Sequence, residues 1–176
     1  MKVRAAGFTL IELMIGVAII GILVALGGVV GRRMIENAQA ATCSSNLRAL
    51  GVGLQSYLAD HGNTMPPLAA ARASVSENVP VIDNTLNAYV DDVRVFRCPG
   101  DRLMAGATGT SYYWNSTLSG QSVANLSFLG LFKELSRIPV MSDKEGWHKH
   151  AADDVQILYA DGGSARGVKF ITEGAR

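Results

Sequence analysis

Glu12 lies inside an apolar run that begins at Phe8 and ends near Val30. The run is about 23 residues, enough for a helix to cross roughly 30 Å of hydrocarbon. Its strongly polar members are Thr9 and Glu12 alone. A carboxylate within a span costs roughly 2.5–3.5 kcal/mol on insertion scales, so one that persists there is expected to serve a function. Gly16, Gly21, Gly27 and Gly28 would weaken a soluble helix, but small residues are common where membrane helices pack closely. Lys2 and Arg4 precede the run; Arg32 and Arg33 follow it, partly offset by Glu36. The charge bias across the run therefore favours a cytoplasmic N-terminus only slightly.

An ordinary secretory signal fits this segment poorly. Its apolar region would be 7–15 residues with a small-x-small cleavage site close behind. Ala38-Gln39-Ala40 offers such a site, but Arg32, Arg33 and Glu36 intervene. Cys43 as a lipoprotein site would need a small Gly or Ala before it, and Thr42 stands there. A plain membrane anchor leaves Glu12 without a purpose.

The helix is expected to continue to about His61. Residues 31–61 contain no proline and are rich in Ala, Leu, Gln, Arg and Glu. Leu47, Leu50, Leu54 and Tyr57/Leu58 recur at three- and four-residue steps and form one apolar stripe. Gly51 and Gly53 each cost such a helix about 1 kcal/mol relative to Ala, unless they let it approach a packed head. Gly62-Asn63 and Pro66-Pro67 end it. The remainder, 62–176, is enough for one small domain. A short helix is expected over Asp83–Val90 with Asp83 as its N-cap. Strands are expected at Tyr112–Asn115, Pro139–Ser142 and Val155–Ala160, then a hairpin through Asp161-Gly162-Gly163 into Ser164–Ile171. Leu129–Leu135 reads equally as helix or strand. The fold class is α+β: a long N-terminal helix, its first half transmembrane, packed on a small antiparallel sheet.

The string Gly7-Phe8-Thr9-Leu10-Ile11-Glu12-Leu13 resembles the prepilin signature of type IV pilins and type II secretion pseudopilins. The resemblance implies a leader of residues 1–7, a transmembrane half-helix at 8–30, an amphipathic half at 31–61 and a head at 62–176. It implies cleavage between Gly7 and Phe8 by a membrane-embedded prepilin peptidase, then methylation of the new N-terminus at Phe8. Glycine before the cut suits a chain held extended in a protease cleft. It further implies that Glu12 pairs with the N-terminal amine of a neighbouring subunit, answering the cost of a buried charge. The head is similar to the prepilin-type proteins named for an H-X9-DG pattern. The matching pieces are Asn46 to Gly51, Phe96 to Asp101, Ser111 to Asn115, Ser142-Asp143 and His150…Asp161-Gly162. Ten residues, not nine, separate His150 from Asp161, and Gly163 stands where the pattern has His.

Both cysteines of the chain, Cys43 and Cys98, match positions in the resembling family. The implied compartment lies outside the cytoplasm, where a disulfide is permitted. Such a bond would close a loop of roughly 55 residues, worth about 4 kcal/mol in the chain-entropy model; two buried free thiols are the other reading. His148, His150, Asp153, Asp154 and Asp161 cluster near the C-terminus. His148 and His150 would share one side of a strand, and zinc or calcium is conceivable there, with Asp143 a further ligand by analogy. Calcium draws on the resemblance, since major type II pseudopilins bind it in a C-terminal loop, although no copy of that loop is recognisable here. The other reading is a polar loop in which Asp161 shapes the turn through its own backbone.

No Gly-x-Ser-x-Gly, phosphate loop or His-Glu-x-x-His occurs, which argues against an enzyme. Net charge is +1, with no dense arginine cluster to bind nucleic acid. The expected function is a structural pilin or pseudopilin precursor of the inner membrane, N-terminus inside and head periplasmic. Its partners would be copies of itself, other pilins, the peptidase and an inner-membrane assembly platform. A membrane-tethered binding module that never polymerises, or a tethered metal-dependent hydrolase, are the alternatives.

Overall fold

A computed structural model describes residues 8–148 and 155–166, leaving aside the side chains of 26–30 and 166. One helix, α1, runs from Leu10 to Asp60, and it ends where Gly62 and Asn63 take positive φ. The chain divides into two compact units, Met1–Ile35 and Glu36–Arg176.

The first unit is the N-terminal part of α1. Its described side chains are exposed on every side, Ile11, Leu13, Ile15, Ile19 and Leu23 among them. A helix apolar all round is stable only when something outside this chain buries it. Among the described residues no helix is long and apolar enough to cross a membrane.

In the second unit the C-terminal half of α1 buries the stripe read from its spacing. Leu47, Leu50, Leu54 and Leu58 are 0–3% exposed and join one core with residues of the head. Gly51 and Gly53 are what allow the close approach. A Cβ on Gly51 would lie 3.2 Å from Leu158 Cδ2, and one on Gly53 2.8 Å from Val90 Cγ1 and 3.0 Å from the Tyr89 carbonyl. At Gly53 the cost of glycine in a helix is thus offset by a contact with backbone that a larger residue would crowd.

The sheet has four antiparallel strands in the order β1-β2-β3-β4: Tyr112–Trp114, Pro139–Asp143, Gln156–Tyr159 and Ser164–Arg166. Its register sets Tyr112 opposite Asp143, Trp114 opposite Met141, and Met141 opposite Leu158. Tyr112 and Trp114 are buried while Tyr113 between them is exposed, the alternation of a half-buried strand.

Elsewhere the head departs from the expected elements. The helix placed at Asp83–Val90 is one turn, α2 (Ile82–Thr85), followed by a 3-10 turn at Asn87–Tyr89. Its cap is Val81, whose amide is satisfied by Asn84 Oδ1 at 2.8 Å. Asp83 lies inside the turn and pairs with Arg72. A short α3 (Met104–Thr108) had no signature in the periodicity; Asp101 starts it instead. Leu129–Leu135 is neither helix nor strand at its start. Phe128 and Phe132 bridge a tight turn with Leu129 and Gly130 at positive φ.

Candidate functional site

Two regions carry the residues singled out in the sequence. The first is the start of α1. Phe8 is 88% exposed and Thr9 precedes the first helical residue. Glu12 Oε2 accepts hydrogen bonds from the Thr9 amide at 2.9 Å and the Thr9 hydroxyl at 2.8 Å. In return the Glu12 amide donates to Thr9 Oγ1 at 3.3 Å. This reciprocal pair is a capping box, in which Thr at the cap and Glu three residues on satisfy otherwise orphaned amides. Its signature, Thr-x-x-Glu before an apolar run, is legible in Thr9-Leu10-Ile11-Glu12. Within a single chain Glu12 therefore already has a partner, though both bonds stay exposed. Gly7 lies outside the described residues.

The second region surrounds the cysteines. Cys43 of α1 and Cys98 of the head form a disulfide, Cα–Cα 4.9 Å, with both residues fully buried. This selects between the two readings left open by the sequence. A hydrogen-bonded loop holds the Cys98 side. The Cys98 amide donates to Ser111 Oγ at 3.0 Å, and that hydroxyl donates to Asp101 Oδ2 at 2.6 Å. Asp101 also accepts from the amides of Leu103, Met104 and Ala105 at 2.7–2.9 Å, which caps α3. Burial pushes the Asp101 carboxyl up. The Ser111 hydroxyl and the three amides outweigh it and hold the group below the usual carboxylate range.

His148 completes this region. It is not on a strand; it lies in the connection after β2 with no exposed surface. Its Nε2 is 3.3 Å from Cys98 Sγ. A disulfide sulfur has no proton to give, so the ring N–H donates. Gly100 leaves room for the ring, since a Cβ there would sit 2.9 Å from His148 Cε1 and 2.9 Å from Trp147 Cβ. Gly100→Ala should therefore lower stability by about 1–3 kcal/mol, the range for overpacking, read as a fall in thermal midpoint with the disulfide intact.

Of the clustered acid and histidine residues, His148 and Asp161 are described. Among the described residues, the donors that approach within 4.8 Å as a group of three are Cys43, Cys98 and His148. Asp161 is exposed in the β3–β4 turn, its Oδ1 accepting from the Gly163 amide at 2.8 Å. That is the turn-shaping role weighed against metal ligation. His150, Asp153 and Asp154 lie outside the described residues.

Asp143 is buried on β2, where its Oδ2 accepts from the Gln156 amide at 2.9 Å and its Oδ1 has no partner. Burial pushes its pKa up to about 7, against the pull of the Gln156 amide. A perturbed carboxyl can mark an active site. Here it faces Tyr112 across the register, and a role in stability is the simpler account. A cavity of about 300 Å³ opens between α1 and the sheet. Gly51, Leu54, Met65, Val140 and Leu158 line it, with Arg48 and Asp161. Its lining is mainly apolar and brings together no acid–base pair of catalytic type.

Residues 2–28 match the family model of the prokaryotic N-terminal methylation motif. Comparison with curated proteins and with solved structures finds no match.

Proposed function

We propose that the chain is a type IV pilin-like precursor, as its N-terminal methylation motif supports, and a structural subunit of a type IV filament, most closely of the secretion-type pseudopilus. The observation that carries this reading is the methylation motif seated on a helix that is apolar all round and begins at a Thr9–Glu12 capping box. Such a helix must be covered, first by lipid and then by other copies. Transfer from bilayer to filament core keeps it out of water throughout, so the step carries little hydrophobic penalty. Processing falls between Gly7 and Phe8, and the freed amine of Phe8 becomes a partner for Glu12 of a neighbouring subunit. Glu12 then exchanges its intrachain bonds to Thr9 for an interchain ion pair that sets register. The head is extracytoplasmic, held by a disulfide of a kind that persists in oxidising compartments. Both cysteines of the chain are used in that bond. No second disulfide closes a long surface loop, which favours the small secretion-type head.

Two substitutions test the reading in cells that express the matching peptidase and assembly machinery. Gly7→Phe should leave full-length precursor on a gel, while Glu12→Ala should be processed and inserted but yield no sheared filament. Normal maturation of Gly7→Phe would refute the cleavage site. Normal filaments from Glu12→Ala would remove the register role, and a processed wild type that never polymerises would favour the tethered binding module.

A further inference from the structure

We propose that, when the Cys43–Cys98 bond is reduced, Cys43, Cys98 and His148 form a binding site for a zinc-like metal ion, so that the same clamp closes through a metal instead of a covalent bond. The inference is independent of filament assembly. It rests on the convergence of three donors from three distant parts of the chain: helix α1, the loop before α3 and the connection after β2.

The donor atoms, two sulfurs and an imidazole nitrogen, all lie within 4.8 Å of one another. In a tetrahedral zinc site, with Zn–S near 2.3 Å and Zn–N near 2.0–2.1 Å, such donors stand about 3.4–3.8 Å apart. His148 Nε2 and Cys98 Sγ are already 3.3 Å apart. The two sulfurs need only separate from bonding distance, which side-chain torsions can supply. Two thiolates and one imidazole are a donor set that suits zinc and softer ions and suits calcium or magnesium poorly. Water can complete the fourth position.

The surroundings favour closure. All three residues have no exposed surface. Asp101 and Ser111 fix the Cys98 backbone whatever the oxidation state of its sulfur. Gly100 admits the imidazole where a methyl group would exclude it. Without a bond or a metal, two thiols and an imidazole would be buried together, and α1 would keep to the loop through the shared core and the Asn46 side-chain amide, which donates to the Arg97 carbonyl at 2.9 Å.

The chemistry balances simply. A dithiol or phosphine reductant delivers two electrons, the two sulfurs take up two protons, and the reductant leaves as its own disulfide or phosphine oxide. Metal binding then releases the thiol protons, up to two per ion, while the imidazole shifts its proton from Nε2 to Nδ1 to free the ligating lone pair, so affinity rises with pH.

The full chain in detergent is refolded with a phosphine reductant, with and without zinc chloride. Folding is confirmed by circular dichroism. Expected are one zinc retained per chain after desalting, a higher thermal midpoint than the zinc-free reduced protein, and a thiolate charge-transfer band in the ultraviolet when cadmium replaces zinc. The oxidised protein should show none of these. His148→Gln keeps the side chain's bulk and should weaken zinc binding at least tenfold. Cobalt in the reduced wild type gives a readout without any substitution: intense visible bands of a tetrahedral site are expected. Absence of bound zinc in the folded reduced protein, an octahedral cobalt spectrum, or unchanged affinity in His148→Gln would each overturn the proposal.

Discussion

Cys43→Ala/Cys98→Ala should lower the unfolding free energy of the head by about 4 kcal/mol, the chain-entropy value for a loop of this size. The bond closes a separation of 55 residues, between a helix and a loop that meet only in the folded head. Most of the loss arises in the unfolded chain, which gains freedom once the link is gone. A smaller share arises in the native core, where both sulfurs are fully buried and their removal leaves space. Urea titration of the oxidised wild type and the double variant measures the difference. The reduced wild type without metal should fall close to the variant. A loss under 1 kcal/mol would mean that the contacts of α1 with the head already restrict the unfolded ensemble, and that the bond contributes little. A domain of this size has a net stability of about 5–15 kcal/mol, so the expected loss is a large fraction of the whole.

Asp143→Asn should stabilise the head at neutral pH and flatten its stability between pH 4 and 7. The folded-state pKa stands near 7, against an ordinary value of 3.8, because burial disfavours the charge. Between those values the folded chain keeps a proton that the unfolded chain releases. Stability from this group is therefore fully present below about pH 4, falls as pH rises, and is lost by about pH 7. The span of roughly three pH units corresponds to at most about 4 kcal/mol, less where water reaches the carboxylate. Asparagine keeps an oxygen to accept the Gln156 amide and cannot ionise. Urea midpoints of wild type and variant at pH 5 and pH 7.5 isolate the effect, since other titrating groups are common to both. A variant whose midpoint moves with pH as steeply as the wild type would show that Asp143 is charged and solvated throughout.

The helical half of the fold was legible because its signals are local. The stripe from Leu47 to Leu58 is a three- and four-residue repeat, and those residues are buried. β1, β2 and β3 also announced themselves, as short β-prone runs next to turn residues. The one-turn α2 and the 3-10 turns did not, because a single turn carries no periodicity. Asp83 looked like a cap by residue type. Its carboxylate instead neutralises Arg72, whose Nε donates to the Thr108 carbonyl at 2.9 Å, a partner 36 residues away. At the C-terminal cluster, closeness in number did not place the two described residues together. His148 and Asp161 are near in number, yet one lies under α1 against a disulfide and the other shapes an exposed turn.

The sequence by itself determined the N-terminal half: an apolar helix, one carboxylate, and a methylation motif over residues 2–28. These depend on neighbours within a few residues, where side-chain spacing and backbone capping act directly. Only the tertiary structure decided that Cys43 meets Cys98, that His148 joins them, and that Asp143 is held where ionisation is costly. Each of those depends on burial and on contacts between segments about 50 residues apart or between neighbouring strands, which the folded chain alone brings together.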